Sequence, residues 1–300
     1  MISTECWWVV LPLTQRVLLA LPIIKPVKSP WPQGWGQRTN VMGVINITPD
    51  SFSDGGNYLE PASALAQATL LIQQGADVLD LGAQSTRPKA EEVGWHEELN
   101  RMMPALHAIR AAHPQALISV DTFLVEVAEA ALQAGADWIN DVSGGRRDPE
   151  LLRVVAEAGC PYVLMHSRGN SQSMDQLATY SDVIEEVRLG LLRRTEQALA
   201  AGIRSEQLIW DPGLGFAKTT EQNLILLKHL ERICSEGFPV LVGPSRKRFI
   251  GDVLHQPDPE ARLWGTAAVA CRCLQAKAAM VRVHDVGPIH QTLQMARRLW

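Results

Sequence analysis

The sequence predicts an α/β protein built as a (β/α)₈ TIM barrel with an N-terminal extension, and three observations carry the prediction. From Val41 onward, eight short apolar runs alternate with longer stretches whose apolar residues recur at three- and four-residue spacing. Strand-like runs begin just after Gly75-Ala76-Asp77 and Gly135-Ala136-Asp137, with Gly159-Cys160-Pro161 as a variant. A glycine there ends the helix in a left-handed cap, and the strand starts two residues later. Eight such units on one domain of this length suit a barrel. The competing doubly wound sheet would need a GxGxxG after the first strand, which is missing.

The chain has 300 residues, 46% of them apolar, and a formal charge of -4, which gives no electrostatic case for nucleic acid. Residues 1–40 read as the extension, peripheral or disordered. They hold Pro12, Pro22, Pro26, Pro30 and Pro32, together with Trp7, Trp8, Trp31 and Trp35. The apolar run Cys6–Ile24 is broken by Pro12, Arg16 and Pro22, so it is a poor membrane span. No basic region precedes it, as a signal peptide would require. The five cysteines are scattered without a CxxC pair, which suits reduced thiols in the cytoplasm.

Residues 41–300 read as the barrel. The strands are expected at Val41–Asn46, Asp77–Gly82, Ala116–Asp121, Asp137–Asp141, Pro161–His166, Gln207–Asp211, Pro239–Gly243 and Ala279–His284. Helices are expected between them, among them Ala62–Gln74, Leu99–Ala112, Ser181–Ala201 and Asp258–Gln275. Barrel enzymes work at the C-terminal ends of their strands. Here those ends carry Asn46, Asp121, Asn140 with Asp141, His166, Asp211, and Arg282 with His284. One such residue is as often a helix cap as a ligand group; six polar ends on one face describe a site.

Asp121, Asn140 and Asp211 end the third, fourth and sixth strands and can converge. Two carboxylates and an amide are an acceptor-rich set suited to a planar ring with several N–H donors, such as a pterin. Lys247 could donate to the ring carbonyl. Arg282 and His284 end the eighth strand, in the usual phosphate region of such barrels, where an arginine fork fits a diphosphate.

The stretch Met42–Gly56, MGVINITPDSFSDGG, passes from a buried-strand pattern into a loop dense in Pro, Asp, Ser and Gly. It resembles the signature of the dihydropteroate synthase family. Further blocks follow in that family's order: GAQSTRP at Gly82–Pro88, SVDT at Ser119–Thr122, IND at Ile139–Asp141, DPGLGF at Asp211–Phe216, SRK at Ser245–Lys247 and VRVHD at Val281–Asp285. Two positions depart from the pattern: Gln84 stands where Glu is usual, and Lys89 where Gly is usual.

The resemblance implies a transferase of folate synthesis. It would join 4-aminobenzoate to 7,8-dihydropterin-6-ylmethyl diphosphate, giving 7,8-dihydropteroate and diphosphate. Asp121, Asn140, Asp211 and Lys247 would hold the pterin, and Asn46, Arg282 and His284 the diphosphate. Asn46 would ligate Mg²⁺ with Asp50 near it, while Phe52, Thr86, Arg87, Pro88 and Ser245 would frame the aminobenzoate. Asp50, Arg87 and Lys247 are the expected catalytic residues. The loops Thr48–Asn57 and Ser85–Gly94, poor in apolar anchors, would order only over bound Mg²⁺–diphosphate. A homodimer is implied, and no membrane partner. The rival readings are a methyltransferase-type pterin barrel, a non-catalytic pterin-binding protein and an inactive paralogue. The first would not be expected to combine TPDSFSDGG, STRP and SRK.

Overall fold

Each of the eight apolar runs forms a strand in the computed structural model, which describes residues 29–47, 61–85 and 90–300. The strands are β1 (Asn40–Asn46), β2 (Val78–Gly82), β3 (Ile118–Asp121), β4 (Trp138–Asp141), β5 (Tyr162–Met165), β6 (Leu208–Asp211), β7 (Leu241–Val242) and β8 (Met280–Val283). All but β1, which begins one residue earlier at Asn40, are shorter than the apolar runs. All pairs are parallel in the order β6-β5-β4-β3-β2-β1-β8-β7. A parallel bridge between Trp210 and Val240 joins the two ends, so the sheet closes into the expected barrel.

Among the described residues ten α-helices surround it: α1 (Pro61–Gln73), α2 (Trp95–Ala112), α3 (Val125–Gln133), α4 (Glu150–Ala158), α5 (Val183–Ala200), α6 (Thr220–Lys228), α7 (Leu230–Cys234), α8 (Arg248–Leu254), α9 (Leu263–Gln275) and α10 (Val286–Leu299). The expected helix Asp258–Gln275 is divided. A 3₁₀ turn at Glu260–Arg262 precedes α9. Pro259 lies immediately before that turn, where its fixed φ favours a tight start.

The Gly-Ala-Asp stops have a double role. Gly75 and Gly135 take φ of 97° and 96°, a region that side chains disfavour. The aspartate that follows then secures the neighbouring strand. Asp77 accepts from the backbone N–H of Val41 (2.9 Å) and pairs with Arg38. Asp137 accepts from Ile118 N–H (2.8 Å) and from the Arg110 guanidinium (2.7 Å). Both carboxylates thus satisfy strand donors at the barrel's N-terminal end.

The interior of that end is filled by Met42, Val78, Leu117, Trp138, Val163, Ile209, Leu241 and Met280. Residues 29–39, read from sequence as part of the extension, pack beneath this layer. Trp31 and Trp35 stack with centroids 5.0 Å apart, and each meets the edge of Trp138 at 5.6 Å. The Trp138 indole N–H donates to the Pro30 carbonyl. Trp138→Phe keeps a ring but removes that bond and part of the contact. It should lower stability by about 1–3 kcal/mol, read from the denaturant midpoint. An unchanged midpoint would mean that the aromatic plug contributes nothing to the barrel.

Candidate active site

At the C-terminal ends of the strands lies a cavity of about 520 Å³. Asn46, Asp121, Asn140, Asp211, Ser245, Lys247, Arg282 and His284 all line it, which brings together every described residue that the sequence singled out for a binding role. Asp50, Phe52, Thr86, Arg87 and Pro88, with Lys89, lie outside the described residues. Two of the polar strand ends do not reach the cavity. Successive strand residues face opposite sides, so Asn140 points inward and Asp141 outward. Asp141 is buried behind the wall, accepting from Tyr162 OH (2.7 Å) and from the N–H groups of Ser143 and Gly145 (2.6 and 2.7 Å). His166 sits behind the β6 loop, within 3.2 Å of Lys218 Nζ.

The floor is an ion network whose centre the sequence reading missed. Asp80, fully buried on β2, accepts from Arg282 Nε (2.6 Å) and from Asn140 Nδ2 (3.2 Å). Arg282 Nη2 also donates to Asp121 (2.9 Å). An amide nitrogen only donates, so with Asn140 Nδ2 turned to Asp80 the amide oxygen is the group left to accept from a ligand. The Arg282 guanidinium, expected from sequence at a diphosphate, lies between the carboxylates of Asp80 and Asp121. The signal for Asp80 was a single charge inside the otherwise apolar run VLDLG.

Electrostatics follow from depth. Burial pushes the Asp121 carboxyl up to about 7 although Arg282 opposes it, and Asp80, Glu98 and Asp141 add like charge. Asp211 is raised too, chiefly by burial, while its bond from Gly213 N–H (2.7 Å) favours the anion. Burial lowers Lys247 to about 8, with Asp211 opposing the shift. Lys247 Nζ lies 4.2 Å from the centroid of the Phe216 ring, a cation–π contact that fixes its direction. At the ends of β7 and β8, Ser245 Oγ accepts from His284 N–H (3.1 Å) and lies 3.0 Å from its Nδ1. Asn46 Nδ2 is 3.4 Å from His284 Nε2. Arg246, in the left-handed region at φ 59°, pairs bidentately with Asp285 (2.8 and 3.2 Å) and so ties the β7 loop to the end of β8.

The second loop is anchored by polar contacts that its composition did not reveal. The Ala90 carbonyl accepts from Ser171 Oγ (2.8 Å) and Gln172 Nε2 (2.9 Å). Glu92 pairs with Arg147 at 2.5 Å. Gln84 accepts from Val93 N–H (2.8 Å) and donates to Glu98 on α2 (3.0 Å). A carboxylate at position 84 would face Glu98 across that distance, so the amide is the residue that can bridge both without sharing a proton.

This is a barrel enzyme whose catalytic face presents acceptors at its floor and cations around them, the class defined by binding of a donor-rich planar ring. Residues 42–284 match the model of the family described as pterin binding enzymes. The chain is 50% identical to a dihydropteroate synthase of Synechocystis sp. over 266 residues, covering 89% of this chain and 92% of that one. Its fold superposes on dihydropteroate synthase of Xanthomonas albilineans solved with 4-aminobenzoic acid, with TM-score 0.83 and 42% identity over 88% of this chain and 94% of the other. The same enzyme in complex with 7,8-dihydropteroate gives TM-score 0.80 at 40% identity, with the same coverage of both chains. The chain therefore belongs to the dihydropteroate synthase family.

Glu98 gives a pH test of this architecture. Burial raises its carboxyl from 4.5 to about 7, outweighing Thr122, Gln84 and Arg101. Between those values the folded chain holds a proton that the unfolded chain has released. Its contribution is fully present below the unfolded value and is lost as pH rises through the folded one, by roughly 3 kcal/mol in all. Glu98→Gln should escape that loss, so its stability advantage over the parent should widen between pH 4.5 and 7.5 in denaturant titrations. A constant gap would place the titration elsewhere.

Proposed function

We infer that this chain condenses 7,8-dihydropterin-6-ylmethyl diphosphate with 4-aminobenzoate to give 7,8-dihydropteroate and diphosphate, in folate biosynthesis. The observation that carries the reading is the convergence of Asp121, Asn140, Asp211 and Lys247 on one cavity with Arg282, His284, Ser245 and Asn46 beside them. The carboxylates and the Asn140 oxygen accept from the ring N–H and amino groups. Lys247 donates to the ring carbonyl. Arg282 and His284 hold the leaving diphosphate, and Ser245 steadies His284 and frames the aminobenzoate together with residues of the two loops.

The C–O bond between the pterin methylene and the diphosphate breaks, and a C–N bond to the aminobenzoate nitrogen forms. That nitrogen then releases one proton. An S_N1-like path suits the site, because the dihydropterin ring delocalises the cation left at the methylene. The buried carboxylates beneath the ring favour that cation, and the cationic groups favour the departing anion. The arylamine attacks unprotonated at neutral pH, so the reaction needs no strong general base.

The donor set fits Mg²⁺ carried by the substrate. Among the described residues no cluster of three acidic, histidine or cysteine side chains could hold a metal. Asn46, with Asp50, would supply few ligands, and an ion that keeps water and phosphate oxygens needs few. Such an ion would neutralise charge on the leaving group. Apolar side chains exposed on α9 and α10, Trp264, Met295, Leu299 and Trp300, support a homodimer through these helices. The free cysteines Cys160, Cys234, Cys271 and Cys273 support a reducing, cytoplasmic setting.

The direct test is diphosphate release from the pterin substrate that depends on 4-aminobenzoate, with dihydropteroate identified by mass. Release without aminobenzoate, or none at all, would remove the synthase reading. Asp211→Asn keeps an acceptor for Gly213 N–H but loses the charge. It should weaken pterin binding at least tenfold in calorimetry with the fold intact, as loss of a charged hydrogen bond in a closed site costs about 1.5–3 kcal/mol. Arg282→Ala should weaken the pterin without diphosphate as well as diphosphate itself, because it strands Asp80 and Asp121. If only diphosphate binding fell, the ion network would be irrelevant to the ring.

A further inference from the structure

Lys218 is buried at 3% exposure beside the site, yet among the described residues no carboxylate hydrogen-bonds to it. Its Nζ donates to the carbonyls of Gly213 (2.9 Å) and Phe216 (3.0 Å) and lies 3.2 Å from His166 Nδ1. The β6 loop therefore arches around the ammonium of its own last residue. Burial lowers the Lys218 amine to about 7; while protonated it donates only, so Nδ1 of His166 then accepts and the imidazole carries its proton on Nε2. Its charged form is opposed by burial first and then by Lys218. Gly190 packs against that ring so closely that a Cβ would lie 2.6 Å from Cδ2.

The loop's backbone needs such a holder. Gly213, Gly215 and Ala217 all take left-handed φ, at 67°, 78° and 49°. A Cβ on Gly213 would stand 2.0 Å from the His166 carbonyl, so the chain turns tightly against the end of β5. Two groups of the site depend on this turn. The Gly213 N–H bonds Asp211, and Phe216 places its ring under the Lys247 ammonium. On the outer side Asn223 closes the arch, accepting from Gly215 N–H (2.8 Å) and donating to the carbonyls of Lys218 and Thr219 (3.3 and 2.8 Å).

We propose that Lys218 is a positioning residue for pterin recognition: by holding the Gly213 and Phe216 carbonyls against His166, it sets the loop that orients Asp211 and Lys247. The proposal rests on the pterin-binding reading of the site. Without the ammonium, two carbonyls and an imidazole nitrogen lose a common donor. The loop then relaxes, and both pterin-facing groups lose their supports. The β7 and β8 side of the cavity, with Ser245 and His284, is held by Arg246 and Asp285 instead and is untouched.

The test compares Lys218→Met and Lys218→Arg with the parent. Calorimetry measures binding of 6-hydroxymethyl-7,8-dihydropterin, kinetics give KM for each substrate, and thermal unfolding checks the fold. Lys218→Met should lose at least tenfold in pterin affinity, while KM for 4-aminobenzoate stays within twofold. Lys218→Arg, which keeps the charge and the donors, should recover part of the loss. Unchanged pterin affinity in Lys218→Met, or an equal loss for both substrates, would overturn the proposal. If Lys218→Met does not fold, Lys218→Arg decides alone: a loss confined to the pterin supports the role, and a uniform loss or none overturns it. A parent protein that binds no pterin would instead refute the functional reading, so the two failures are distinct.

Discussion

Everything at the catalytic face depends on a charge problem solved on the cavity floor. Asp80 and Asp121 are carried by adjacent strands of the barrel wall, where two bare carboxylates would repel each other. Arg282, from β8 across the interior, bonds both. Removing one partner of such a set leaves a buried charge uncompensated, which is why buried ion pairs resist piecemeal change. The same network turns Asn140 so that its oxygen faces the cavity. Strands β2, β3, β4 and β8 are thus held in register by chemistry as well as by their ladders, and the polarity a pterin needs is set before any ligand arrives.

The barrel was legible because its punctuation is local. A left-handed glycine, an alanine and an aspartate mark the starts of β2 and β4, and the aspartates at 77 and 137 bond donors of the adjacent strand. The residues of the site were legible where a polar side chain ended an apolar run. What sequence did not decide was direction. Asn140 and Asp141 are neighbours of equal promise, but the alternation of a strand sends one into the cavity and the other into the wall. Asp80 was hidden because it stands inside its run, not at the end. Lys218 was hidden because its partners are carbonyls brought close only by three left-handed residues, which no pattern of side chains announces.

Gln84 shows how a departure from a family pattern is read once neighbours are known. From sequence it was the loss of a charge near the site. In the fold it is an adaptor with one acceptor and one donor in use, joining a loop N–H to a buried carboxyl. An acid at that position would have to share a proton with Glu98 to do the same. The exchange thus alters how the second loop is anchored and leaves the floor of the site unchanged, which argues against the inactive-paralogue reading.

The tryptophan plug separates the molecule's two ends. Trp31 and Trp35 close the N-terminal mouth through Trp138, so residues 29–35 lie at the end of the barrel remote from the cavity. Substitutions among the aromatic rings of the plug can therefore alter the barrel's stability while leaving the approach to the catalytic mouth clear. The plug makes this protein a barrel that can be tuned from below while it works from above.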